Sequence, residues 1–267
     1  MDVITDTSSA ALADAVDANL IEKSLSFARF FGGEIHGPNP LWFVTGRRMP
    51  NNNGVVSAVF PADEVRSGIK TVFRPFREQG TPLTWWVGPR SSPDNLGKYL
   101  QHYGMTHNRD MIGMAAPLEI LSAPESPVFS LELVEDMPTL KLWYDLVVQC
   151  FPMTYSQHYL ETLGAISLRP GAEWLHYVGR VNGEVLTASS LFLGGGAAGL
   201  YNLGTLPQAR SQGYGALTTL QTFARAREMG YQIGTLQTTY PNALRMYHRM
   251  GFEVYCKIGI YVYSPLN

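Results

Sequence analysis

The chain has 267 residues, 45% hydrophobic and 12% aromatic, with 16% charged residues and a net charge of −2. That is enough apolar material for one large core or two smaller ones, and too sparse in charge for a disordered chain. The slight negative balance excludes a polycation that coats nucleic acid.

In chain order, residues 10–32 read as a helix. Leu12, Val16, Leu20, Ile21, Leu25, Ala28 and Phe31 recur at three- and four-residue spacing, and Gly32-Gly33 stops the run. Residues 41–44 and 55–60 read as strands, with Asn51-Asn52-Asn53-Gly54 as the turn between them. A helix is expected from about Asp63, then a strand over 84–87 and a short helix over 96–103 closed by Gly104. Residues 122–127, SAPESP, are the best linker candidate, because two prolines keep the chain extended. The second half restarts with a strand at 128–134 and a helix around 139–148. Strands near 174–181 and 185–192 flank Asn182-Gly183, a hairpin signal. A strand over 200–206 then leads into a glycine-rich turn and a helix ended by Gly230. A strand at 233–238, a helix at 243–250 and a strand at 255–263 complete the chain.

The halves echo each other. Residues 80–89 and 100–105 match 230–239 and 247–252 as strand, loop, short helix and a Gly–hydrophobe exit, the pattern of a diverged tandem repeat.

The segment richest in chemistry is residues 203–217, LGTLPQARSQGYGAL. A strand ends, Pro207 breaks it, and Arg210-x-x-Gly213-x-Gly215 opens a helix. The first turn of a helix has unpaired N–H groups at its positive end. Without side chains, Gly213 and Gly215 let a pyrophosphate approach the backbone, and Arg210 adds a fixed charge. The spacing is neither a Rossmann fingerprint nor a Walker loop. Downstream lie Asn242-Ala243 and Tyr247-x-x-x-Gly251-Phe252.

Together these two motifs resemble the GNAT superfamily of N-acetyltransferases. The likeness covers roughly residues 128–267, is strongest over 200–252, and is much weaker in the first half. The resemblance implies an α+β fold of two tandem GNAT-like domains, each a mixed, largely antiparallel sheet flanked by helices. The expected division is a degenerate domain at 1–122, a linker at 123–127 and an acetyl-CoA-binding domain at 128–267. The cradle then falls on Arg210, Ser211, Gln212, Gly213, Tyr214, Gly215 and Ala216. Leu203, Gly204 and Thr205 match the strand that pairs with the pantetheine arm, and Asn242 matches a side-chain contact to it. Tyr247 matches the tyrosine that protonates the leaving thiolate. The family's glutamate base would fall near Gly199, so no carboxylate is available there; Tyr201 is the neighbouring candidate, with Glu132, Glu161, Glu173, His158 and His176 as others. Phe151, Met153, Tyr155 and Trp174 are candidates to line an acceptor pocket.

In the first half the equivalent turn, Phe60-Pro-Ala-Asp63-Glu64, has no glycines and places carboxylates where a pyrophosphate would sit, so this half is expected not to bind CoA. Charge agrees: residues 197–267 hold six Lys/Arg against two Asp/Glu, and the rest hold fourteen against twenty.

The expected function is transfer of an acetyl group from acetyl-CoA to a primary amine of a small or amino-acid-like acceptor. The alternatives are a non-catalytic acyl-CoA-binding module, or a transferase using another donor such as aminoacyl-tRNA or a long acyl-CoA. Cys150 and Cys256 are too few for a disulfide framework and lack metal-ligand spacing; they read as core residues in a reducing compartment, and no metal is expected. No stretch approaches the ~20 apolar residues of a membrane span. The start, with Asp2, Asp6, Asp14 and Asp17, lacks the basic residues of a signal peptide. The expected protein is cytoplasmic, a monomer or homodimer, with no nucleic-acid or membrane partner.

Overall fold

The computed structural model describes residues 2–48, 52–151 and 155–265. Its elements, in chain order, are α1 (Ser9–Phe30), β1 (Glu34–His36), β2 (Leu41–Val44), β3 (Asn53–Ser57), α2 (Val65–Glu78), β4 (Leu83–Val87), α3 (Leu96–His102) and β5 (Thr106–Pro117). Then come β6 (Phe129–Leu133), α4 (Met137–Cys150), α5 (Gln157–Ser167), β7 (Trp174–Val181), β8 (Glu184–Gly194), β9 (Ala197–Thr205), α6 (Tyr214–Glu228), β10 (Ile233–Thr238), α7 (Pro241–Met250) and β11 (Glu253–Tyr263). The mixed α+β class is as expected.

The chain divides into two compact units, but not at the expected linker. The major unit holds the chain up to Asn19 together with Met114–Glu253; the minor unit holds Leu20–Gly113 and the chain from Val254 on. Residues 123–127 lie inside the major unit. The reason is in the strands. In the major unit the order is β6-β7-β8-β9-β10-β5, and in the minor unit β1-β2-β3-β4-β11-β5. The chain's last strand, β11, thus pairs antiparallel with β4 of the first half, with Ile260 opposite Trp86. β5 is twelve residues long, and its last four belong to the major unit.

Each unit combines several antiparallel pairs with a parallel one. β9 runs parallel to β10 in the major unit, and β3 parallel to β4 in the minor unit. The major core packs Leu140, Trp143, Tyr144 and Val147 of α4 against Val178 and Ala188 of the sheet. The minor core packs Ile69, Phe73 and Phe76 of α2 against Val55, Leu83 and Trp85. Asp136 caps α4, its Oδ1 accepting from the Thr139 N–H at 2.8 Å, and Ser156 caps α5 through the Tyr159 N–H.

Two further expectations are corrected. Asn53 and Gly54, expected in a turn, open β3. Asn53 is buried with its amide bonded to the carbonyls of Arg47 and Pro82, at 2.7 and 3.1 Å. A Cβ at Gly54 would lie 2.3 Å from the Trp86 ring, so this glycine serves close strand packing. The strand expected over 55–60 ends at Ser57.

Candidate active site

The expected cradle folds as a helix entrance. Leu206 leads from β9 into a single 3-10 turn, Pro207–Ala209, and α6 starts at Tyr214 with Gly213 as its N-cap. Gly213 has φ +85° and Ser211 has φ +62°, so the chain turns through left-handed backbone just ahead of the helix. Residues 210–213 are exposed, leaving the first-turn N–H groups open to a ligand. Hydroxyl pairs fix the helix against the sheet. Thr218 Oγ1 lies 2.6 Å from Thr187 Oγ1, and Thr222 Oγ1 lies 2.8 Å from Ser189 Oγ, all buried. They hold α6 in register with β8, and so hold the cradle.

A cleft of about 670 Å³ opens at this entrance. Thr205, Arg210, Ser211, Gly213, Tyr214, Gly215 and Ala216 line one side, and Asn242, Arg245, Met246 and Arg249 of α7 line the other. Three arginines therefore face one concavity, which suits a polyanion. A Cβ at Gly215 would stand 3.2 Å from Thr205 Oγ1 and 3.8 Å from Met246 Sδ, two residues that line the cleft. A second cleft of about 620 Å³ shares Thr205, Arg210 and Asn242 with the first. It continues along Leu203 and Gly204 to Cys150, Phe151, Tyr240 and Ala243. Gln212 lines neither cleft; its amide is bonded to the Gln208 carbonyl at 3.0 Å. Arg210 Nε donates to the Thr205 carbonyl at 3.0 Å, tying the cradle to the end of β9.

The backbone of β9 has two irregularities where a ligand arm is expected. Its parallel pairing with β10 stops at Leu200 opposite Leu236, although β9 continues to Thr205 and β10 to Thr238. The strands part there. Against β8 the register slips: Ala188 faces Gly204 and Ser190 faces Tyr201, so Asn202 and Leu203 together oppose Ser189. This is a β-bulge, and Asn202 takes the left-handed φ of +50° that asparagine tolerates. Alternation along the strand turns the polar groups of Leu203 and Thr205 away from β8, toward the gap beside β10.

The minor unit shows the same β–α–β element with the gap closed. Beyond β3, Ser92 N donates to the Ala58 carbonyl at 3.0 Å and Phe60 N donates to the Ser92 carbonyl at 3.1 Å. Where β9 parts from β10 beyond Leu200, the corresponding stretch here stays bonded to its neighbour. Its helix starts at Val65 behind Glu64.

The catalytic candidates are placed as follows. Tyr247 is 6% exposed on α7, outside both clefts but one turn beyond Ala243, which lines one of them. Its ring meets Phe252 edge-on at 6.0 Å, and burial raises its phenol pKa, so it stays protonated at neutral pH. Tyr201 is not in either cleft; its hydroxyl donates to Asn19 Oδ1 at 2.8 Å, and burial raises its pKa. Asn19 also explains why position 199 carries no carboxylate. A Cβ at Gly199 would lie 2.0 Å from Asn19 Oδ1. His176 is buried, and burial depresses its pKa to about 3, so it is neutral at physiological pH. Glu132 is paired with Arg180 at 2.6 Å, Glu161 accepts from Gln157 at 3.0 Å, and His158 is exposed on α5. None of these candidate bases lines either cleft.

Of the expected acceptor wall, only Phe151 lines a cleft. Trp174 is buried beside Phe192 and Tyr201, Tyr155 packs on Tyr144 at 5.2 Å, and Met153 lies outside the described residues. Cys150, expected in the core, is half-buried at the cleft wall beside Gly204. Burial raises its thiol pKa, opposed by Arg210. The α7 contribution of Arg245, Met246 and Arg249 was not expected; its signal was the basic spacing at i and i+4. Among the described residues there is no group of three metal-ligating side chains and no helix long and apolar enough to cross a membrane.

Residues 140–252 match the family model of the acetyltransferase (GNAT) family. A GCN5-related N-acetyltransferase from Kribbella flavida shares the fold at a TM-score of 0.75 and 19% identity, over 96% of each chain. A functionally unknown conserved protein from Staphylococcus epidermidis aligns at TM-score 0.65 and 12% identity, over 88% of this chain and 95% of its own. A tandem GNAT protein from the clavulanic acid biosynthesis pathway aligns at TM-score 0.56 and 14% identity, over 76% and 70%. No curated protein gives a significant sequence match.

Proposed function

We propose that the protein, whose residues 140–252 match the acetyltransferase (GNAT) family model, transfers an acetyl group from acetyl-CoA to a primary amine of a small or amino-acid-like acceptor. The observation that carries this reading is the continuity of the cradle with the open stretch of β9, through two clefts that share Thr205, Arg210 and Asn242. Arg210, Arg245 and Arg249 would neutralise the phosphates, and the N–H groups at the start of α6 would bind their oxygens. The backbone of Leu203 and the N–H of Thr205, whose carbonyl already accepts from Arg210, would pair with the pantetheine amides, as a β-strand pairs with an added strand.

Acetyl-CoA supplies an activated thioester. The amine nitrogen bonds to the thioester carbon, the C–S bond breaks, and the proton lost by the amine passes to water, which in turn restores the proton that the phenol gives to the thiolate. The Leu203 N–H, turned toward the gap, would stabilise the oxyanion. Tyr247, protonated and one turn from the cleft wall, is the proton source for the departing thiolate. No side chain is assigned as base, because a site that accepts the neutral amine needs no strong one and water can take the proton. The monomer or homodimer expectation stands as part of this proposal, as do the cytoplasmic location and the absence of nucleic-acid and membrane partners.

A second reading, a non-catalytic acyl-CoA-binding protein, is favoured by one observation: Tyr247 and all the candidate bases lie outside the two clefts. Isothermal titration with acetyl-CoA, followed by turnover on an amine panel, decides between them. One site per chain that is lost in Gly213→Glu, with turnover, supports the transferase. One site without turnover on any amine supports the binding module. No binding removes both readings, and two sites per chain refute a silent first half.

A further inference from the structure

The bulge of β9 is held by side chains outside both clefts. Ser190, fully buried on β8, faces Tyr201 on one side and His176 on the other. Its hydroxyl accepts from Asn202 Nδ2 at 3.1 Å and lies 2.9 Å from His176 Nδ1. The other ring nitrogen of His176, Nε2, is buried with no hydrogen-bond partner among the described residues. The Trp143 ring packs on the His176 ring at 4.1 Å. Its indole N–H donates to the Ser189 carbonyl at 2.9 Å, and Ser189 is the residue that the bulge opposes. Asn202, the left-handed residue, is thus joined to β8 by its own side chain. The β8 residues it spans are joined in turn to β7 and α4.

A bulge frees one residue from the ladder and leaves its direction undetermined unless something fixes it. Here the amide of Asn202 cannot turn without breaking its bond to Ser190. The hydroxyl of Ser190 is oriented by a histidine that is wedged under Trp143. A buried polar chain of this kind costs stability wherever it is incomplete.

We infer that Asn202 and Ser190, backed by His176 and Trp143, are positioning residues that aim the Leu203 N–H at the acyl carbonyl of the donor. They act through the backbone of β9 and touch no ligand themselves. This inference rests on the donor reading above. It goes further in assigning discrimination between acylated and free CoA to a side-chain lock behind the strand.

The test is titration of the intact protein and two variants, Ser190→Ala and Asn202→Gly, with acetyl-CoA and separately with CoA. Glycine at 202 keeps the left-handed backbone and removes only the lock. Both ligands share the cradle, whereas only acetyl-CoA has the carbonyl. Each variant is expected to weaken acetyl-CoA about fivefold, the worth of one hydrogen bond, and to leave CoA within about twofold. Unchanged acetyl-CoA affinity in both variants overturns the inference. So does an equal loss of both ligands, which marks a merely structural role. If Ser190→Ala does not fold, Asn202→Gly, at a partly exposed site, decides alone. A parent protein that binds neither ligand overturns the donor assignment itself, a result distinct from a variant that fails to discriminate.

Discussion

Gly215→Ala separates stability from binding, because the two effects have opposite signs. Gly215 is the second residue of α6 and has ordinary helical φ, so alanine suits its backbone. In a helix interior alanine is worth about 1 kcal/mol over glycine, and less in the first turn. The new methyl would stand 3.2 Å from Thr205 Oγ1, a contact that a small rotation of the hydroxyl relieves. The net expectation is a gain of about 0.5 kcal/mol in folding stability. The same methyl enters the cradle between Thr205 and Met246, where a phosphate would approach the backbone. Displacing the phosphate by a few tenths of an ångström lengthens charge-assisted hydrogen bonds worth about 1.5–3 kcal/mol each. Acetyl-CoA affinity should fall by about tenfold or more. Gly213→Ala is the contrasting control. At φ +85° alanine costs about 1–2 kcal/mol, yet its Cβ meets nothing within 4 Å. Urea unfolding and calorimetric titration read both quantities. If Gly215→Ala is more stable and binds acetyl-CoA as tightly as the parent, no phosphate sits at that amide and the cradle assignment fails.

Tyr247→Phe removes a hydroxyl with no hydrogen bond among the described residues, so stability and acetyl-CoA affinity should stay unchanged. Single-turnover rates should fall by about a hundredfold if the phenol is the acid, and an unchanged rate would exclude that role. Arg210→Gln should weaken acetyl-CoA about tenfold at low salt and by less at 0.5 M salt, since screening already reduces the arginine's contribution; a salt-independent effect would point to lost packing instead. His176 is neutral in the fold, with a pKa depressed to about 3, and titrates near 6.5 when unfolded. The unfolded chain therefore binds more protons between these values, and stability must fall as pH falls through that window. From pH 7 to pH 5 the loss should be about 2 kcal/mol. His176→Asn should flatten that part of the profile, and an equally steep profile in the variant would contradict the assignment.

The second half of the fold was more legible in sequence than the first. The strand expected at 233–238 matches β10 residue for residue, and Asn182-Gly183 makes the β7–β8 hairpin with both residues at positive φ. These are local signals: turn chemistry, period and breakers. β5 escaped notice because its first four residues, Thr106 to Arg109, are exposed and polar while Gly113 to Ala116 are almost wholly apolar. No single periodicity spans a strand whose ends belong to different units. β11 was recognised as a strand, but its partner was not, since pairing across most of the chain leaves no local trace. The glycine turn ahead of α6 was legible because its residues are contiguous. The lock behind the bulge could not, because Trp143, His176, Ser190 and Asn202 are drawn from four elements and look like ordinary core and strand residues one at a time.

The minor unit was expected to be silent because Asp63 and Glu64 replace the glycines of the cradle. The backbone offers a second reason for that expectation, independent of charge. Repulsion by two exposed carboxylates amounts to about 1 kcal/mol in water and is screened by salt, so alone it would only weaken a polyanion. The Ser92 backbone, bonded to Ala58 and Phe60, removes the strand groups to which a pantetheine arm would pair. Replacing both carboxylates by glycine would relieve the charge and leave those bonds in place. The double variant Asp63→Gly with Glu64→Gly should therefore still titrate with one acetyl-CoA per chain. A second site appearing in that variant would mean that charge, and not the closed backbone, keeps the first half empty.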